Sequence, residues 1–132
     1  PEAEPFGPTL TNLEKKVAAG ARFFQTQAFF DPDRLRYFRE AVGPFGVKVI
    51  AGIFLLKSAK MARFVTANIP GLRVPEAVVE ELENAPDPLM QGVAIARRLA
   101  GEARSCCDGI HIMAMGREDL IPEIVTAVRS KE

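Results

Sequence analysis

Hydrophobic and polar positions along the chain switch between a period near 3.6 and a period near two, and the switches predict alternating helices and strands. The first apolar stripe is helical. Leu13 and Val17 stand four apart, Thr9-Leu10-Thr11-Asn12 offers capping side chains, and Gly20 offers a left-handed stop, which predicts a helix of about three turns. Arg22 to Phe30 then changes period. Its Phe, Thr and Gln residues favour extended chain, with Phe23, Gln25, Gln27 and Phe29 on one face and Phe24, Thr26, Ala28 and Phe30 on the other. Both faces are apolar apart from the two glutamines, which predicts a strand of a parallel α/β sheet covered on both sides.

Asp31-Pro32 pairs a helix cap with a proline suited to the first helical position, and Leu35, Phe38, Ala41 and Val42 form the stripe before Gly43-Pro44 ends it. Val47 to Ile53 reads as a second strand. A helical excursion follows over Ser58 to Ala67, Pro75 to Asn84 and Pro88 to about Ala103, punctuated by Pro70-Gly71 and by Pro86 and Pro88. Gly109 to Met115 reads as a third strand, and a helix from about Glu118 to Arg129 tolerates Pro122 in its first turn or so. Right-handed crossovers would make the three strands parallel. They form an open sheet with unsatisfied edges, whereas a complete (β/α) barrel takes eight strands and about 250 residues. The 132 residues supply about half of that length, so the chain reads as a small open α/β domain or as a segment of a larger barrel.

Charge narrows the partners. Seventeen basic and seventeen acidic residues, interspersed, leave no basic surface for a phosphate backbone or an anionic membrane, so neither nucleic acid nor membrane is expected. The longest apolar runs, such as Val49 to Leu56, fall far short of the roughly 20 residues that span a bilayer. Pro1-Glu2-Ala3-Glu4 lacks the order of a signal peptide, and a cytoplasmic location is expected. Cys106 and Cys107 are adjacent, so a bridge between them would be strained, and two reduced, mostly buried thiols are expected. A metal is discounted, because His111 is the sole histidine and no carboxylates show ligand spacing around it.

Ligands of parallel α/β architectures gather at the carboxyl ends of the strands. There Gln27 is the leading contact, since an amide donates and accepts at once and suits the edge of a heterocycle such as a pterin or flavin. Gln25, one layer deeper, reads as an amide bonded inside a core, and Phe29 and Phe30 read as packing. Arg117 follows a glycine directly after the third strand, so its guanidinium should project where it can pair with a carboxylate or an aromatic ring. Lys15 and Lys16 are consecutive on the first helix and by themselves read as a solvated face.

Four stretches carry a resemblance: Leu13-Glu-Lys-Lys-Val-Ala-Ala-Gly-Ala21, Phe24-Gln-Thr-Gln-Ala-Phe-Phe-Asp31, Ala51-Gly-Ile53 and Gly109-Ile-His-Ile-Met-Ala-Met-Gly-Arg117. In order and spacing they resemble the C-terminal half of methylenetetrahydrofolate reductases, over nearly the whole chain. The resemblance implies a partial TIM (β/α)8 barrel in which residues 1–132 form a single segment, its three C-terminal parallel strands being the sixth, seventh and eighth. It implies FAD as cofactor, NADH or NADPH as hydride source, and reduction of 5,10-methylenetetrahydrofolate to 5-methyltetrahydrofolate in one-carbon metabolism. Gln27, Arg117 and Lys60 match folate-side positions; Asn12, Lys15 and Lys16 match positions that hold flavin. The implied partners are the tetrahydrofolate substrate, an N-terminal barrel half or partner chain, and further copies in a homo-oligomer.

Glu4 and Thr9 stand where the family carries a histidine and an aspartate on the flavin side, which favours as an alternative a flavin-free folate or one-carbon barrel. The other alternative is a non-catalytic subunit that completes another chain's barrel. No residue here is a candidate for the acid that opens the folate's imidazolidine ring, so the segment alone is expected not to turn over.

Overall fold

Local signals and long-range pairing place the elements together in the computed structural model, which describes residues 6–69 and 72–129. The chain runs through α1 (Phe6–Ala18), β1 (Phe23–Ala28), α2 (Pro32–Val42), β2 (Lys48–Phe54), α3 (Ala59–Asn68), α4 (Glu76–Asn84), α5 (Pro88–Cys106), β3 (Gly109–Met113) and α6 (Ile121–Arg129). Single 3-10 turns, Gly43–Phe45 and Glu118–Leu120, follow α2 and precede α6. The predicted order holds throughout. The Pro70-Gly71 break and Glu4 lie outside the described residues.

The helix starts show how far local chemistry decides structure. The Asp31 carboxylate accepts from the Asp33 N–H at 3.0 Å with Pro32 as the first helical residue of α2. Ser58 Oγ accepts from the Met61 N–H at 3.1 Å, and Asp87 takes the Met90 N–H at the start of α5. Each satisfies an N–H that the first turn of a helix leaves without an internal partner. The expected start of α1 needs correction: the helix already includes Phe6, the first described residue, so Thr9 to Asn12 lie within it and not before it. Pro8 permits this, because an N–H in the first turn would lack an intrahelical acceptor anyway. The far end is as expected. Ala21 N–H reaches the Lys16 carbonyl and Gly20 N–H the Val17 carbonyl, both at 2.9 Å, a Schellman turn closed at Gly20.

The three strands form one sheet in the order β1-β2-β3, with both neighbouring pairs parallel. Register aligns Phe24 with Val49, and then Ala51 with Ile110 and Ile53 with Ile112, so these residues share a face. That face is covered. Phe24, Val49, Ala51 and Ile53 are buried, and the core extends into α2, α3, α4 and α5 through Leu35, Val65, Leu82, Ile95 and Leu99. A smaller cluster joins Phe24, Phe38, Val42, Val47 and Val49 beneath Leu13 and Val17 of α1. The opposite face is open over the edge strands, where Phe23 is 56% exposed and Gln25, Gln27 and His111 are exposed with it, while Gly52 and Phe54 of β2 are buried on that side.

Two expectations are thereby corrected. Within this chain the sheet is fully covered on one side and only in part on the other, and Gln25 is exposed on the partly open side. Strand periodicity also breaks at its end. The register shifts between Gln25 and Ala28, and Phe29, assigned by strict alternation to the face of Gln27, is fully buried. A bulge of this kind turns the following side chains over. Phe30, also buried, meets Phe54 edge-on with ring centroids 6.5 Å apart, so both phenylalanines serve packing.

Candidate functional site

The bulge at the end of β1 is built from Thr26. Its hydroxyl, buried, accepts from the Gly52 N–H at 3.0 Å and donates to the Gln27 carbonyl at 2.7 Å. One side chain thus satisfies two backbone groups that the shifted ladder would leave without partners. Gly52 is required by the approach itself. A Cβ there would lie 2.9 Å from the carbonyl carbon and oxygen of Gln27, closer than packed atoms come. The consequence is local. The backbone of Gln27 is fixed against β2 while its amide side chain stays exposed at the carboxyl end of the sheet.

The rim continues over the other two strands. At the end of β2 the apolar run Phe54-Leu55-Leu56 is buried, and the first residue to emerge from it is Lys57, half-buried, whose ammonium donates to the Met115 carbonyl at 2.8 Å. Lys60 is exposed in the first turn of α3. After β3 the backbone turns through Met115 (φ +53°) and Gly116 (φ +90°), closed by Arg117 N–H on the Ala114 carbonyl at 3.1 Å. Arg117 then pairs with Asp119 through two bonds, Nε to Oδ1 at 3.0 Å and Nη2 to Oδ2 at 2.9 Å. That bidentate contact holds the guanidinium charged above its ordinary range and holds the Asp119 carboxyl below its own.

Gln27, Lys60 and Arg117 therefore come from the carboxyl ends of three neighbouring strands. Gln27 lies near the end of one edge strand and Arg117 beyond the end of the other, and two strand spacings, about 10 Å, separate those strands across the sheet. Asn12, Lys15 and Lys16 lie elsewhere, on α1, all exposed; Asn12 stands three and four residues before the lysines, which are successive and point about 100° apart around the helix. The lysines occupy the last turn, where ammonium groups also suit the helix carbonyl end.

Sequence reasoning passed over Lys57, Asp119 and Phe64. The signal for Lys57 was available: it is the first charge after an unbroken apolar strand, at the end where ligands gather. Phe64, 61% exposed, follows Lys60 by one turn on the same side of α3. Two groups offer little chemistry. The Cys106 and Cys107 thiols are free, half-buried and 3.7 Å apart, and burial together with Cys106 pushes the Cys107 thiol up to about 12, so it stays protonated and poorly nucleophilic. Among the described residues, no three His, Cys, Asp or Glu side chains gather as a metal cluster would, and no helix is long and apolar enough to cross a membrane.

The methylenetetrahydrofolate reductase family profile matches residues 1–129. The chain belongs to the methylenetetrahydrofolate reductase family. Among solved structures it is similar to an uncharacterized protein from Clostridium thermocellum that binds two copies of 5-methyl-5,6,7,8-tetrahydrofolic acid, with a TM-score of 0.61 and 18% identity. The likeness covers 92% of this chain and 47% of that one, so this chain spans about half the length of the structure it matches. At that identity the likeness speaks for the fold. Family membership and three parallel strands with their helices agree on a partial (β/α) barrel, here a sheet not closed on itself.

Proposed function

We propose that residues 1–132 are the C-terminal half of a methylenetetrahydrofolate reductase barrel and supply the folate-facing side of its pocket. The single observation behind this is the rim itself: an exposed amide, an exposed ammonium and a guanidinium at the carboxyl ends of three adjacent parallel strands, in a chain of this family. In this reading Gln27 pairs with the pterin edge, which presents donors and acceptors side by side as an amide does. Lys60 and Arg117 meet the carboxylates of the glutamate tail, a planar guanidinium being suited to bind such a group through two bonds.

The donor set on α1 also fits a flavin. Asn12 can pair with ribityl hydroxyls, and the Lys15–Lys16 pair can neutralise phosphate. When bound, FAD supplies hydride, drawn from NADH or NADPH, to the one-carbon unit of 5,10-methylenetetrahydrofolate. This chain's residues contribute orientation: a pterin fixed by Gln27 at one end and a tail fixed by Arg117 at the other leaves the reacting carbon little freedom.

The test uses the full-length protein that carries these residues. Visible flavin absorbance and NAD(P)H oxidation that depends on 5,10-methylenetetrahydrofolate are expected. Folate binding without flavin or oxidation would overturn the reductase reading in favour of a flavin-free one-carbon barrel, which Glu4 and Thr9 favour. A second reading, a non-catalytic subunit completing another chain's barrel, draws on the open face of Phe23, Gln25 and His111. It predicts that oxidation appears only when that other chain is added.

A further inference from the structure

Three features of the rim converge on the segment that carries Arg117. The Lys57 ammonium reaches across from the end of β2 to the Met115 carbonyl beyond β3, a hydrogen bond between residues 58 apart in sequence. Met115 is the only non-glycine among the described residues with a positive φ. Asp119 grips the Arg117 guanidinium with both carboxylate oxygens. All three act on one short turn, Ala114 to Arg117, and that turn decides where the guanidinium points.

We propose that Lys57 is a positioning residue for the carboxylate end of the folate, acting through the Met115–Gly116 turn that carries Arg117; this rests on the folate reading above. A left-handed conformation is unfavourable for a side chain with a Cβ and persists where the surroundings impose it. The ammonium on the Met115 carbonyl is such an imposition. It ties the turn after β3 to the rim of β2, so that Arg117 is aimed by two strands instead of hanging from one. Asp119 completes the arrangement. It holds the guanidinium fork as a ligand carboxylate would, and an incoming tail carboxylate takes its place on a group already oriented. Exchanging one exposed carboxylate for another changes little in energy, which leaves the ligand's affinity set by how well the fork is aimed.

The experiment measures equilibrium binding of two probes to the full-length protein: 5-methyltetrahydrofolate, and 6-methyltetrahydropterin, which has the ring and no carboxylate. Lys57→Met should weaken folate binding about tenfold, the effect of a lost charge-assisted hydrogen bond, and leave the pterin probe unchanged. Lys57→Arg, which can still donate to the Met115 carbonyl, should retain folate affinity within about twofold. On an Arg117→Met background, Lys57→Met should have no further effect, since a residue that acts through another adds nothing once that other is gone. An unchanged folate-to-pterin ratio in Lys57→Met, equal loss of both probes, or the same loss with and without Arg117 would each overturn the assignment. Failure of the wild type to bind either probe would instead overturn the folate reading, and the role of Lys57 with it.

Discussion

The two faces of the sheet are made by the same three strands and have opposite characters. On the helix-covered face, Val49, Ala51 and Ile53 of the central strand are fully buried within the larger or smaller apolar core. On the other, Phe23, Gln25, Gln27 and His111 stand exposed. Side chains of a strand alternate, so adjacent residues of β1 belong to different environments although they share a backbone. The difference separates two tasks. One face holds the apolar core of the chain, and the other carries its exposed polar side chains.

That separation can be broken by substitution, and the largest effect should come from the covered face. Ile53→Ala should destabilise by about 2–5 kcal/mol in urea unfolding, the loss expected for a buried aliphatic that leaves a cavity. A value near zero would mean that the covered face is not the core. Thr26→Val keeps the volume and removes the hydroxyl that joins the faces at the bulge. The buried Gly52 N–H then loses its acceptor, and a loss of about 1–3 kcal/mol is expected.

Moving to the open face, effects should pass from stability to binding. Gln27→Ala should weaken 5-methyltetrahydrofolate about tenfold, roughly 1.4 kcal/mol, while flavin retention is kept. Its melting temperature should stay close to wild type; unchanged folate affinity would remove the residue from the site. Gln25→Ala is expected to be the smallest change, less than about 0.5 kcal/mol in the 132-residue chain, as for an exposed side chain without a special role. A larger loss in a polypeptide carrying additional strands would show that the open face becomes covered there, and would sharpen the comparison instead of weakening it.

Element order was readable because its determinants are local. Caps at Asp31, Ser58 and Asp87, and prolines at the first positions of α2 and α5, act within one turn of chain. Gln27 and Arg117 could be placed near strand ends for the same reason: Gln27 lies in an extended stretch that closes at Asp31-Pro32, and Arg117 follows Gly116 after the third strand. The Lys57 contact could not be anticipated, because its acceptor is a backbone carbonyl, which every residue possesses, and its position depends on two strands meeting. Asp119 escaped notice for a related reason. Its bond to Arg117 spans two residues, yet it depends on the turn that precedes it.

The sequence by itself determined the succession of helices and strands, the parallel sheet that follows from it, and the family, since each is written in periodicity, caps and short motifs. Tertiary structure alone decided which side of the sheet is covered, where alternation fails at the β1 bulge, and which groups hold the rim. Coverage depends on where helices dock, and a bulge depends on how one strand meets its neighbour. Both are relations between distant segments, and a pattern of period two reads the same whichever face is buried.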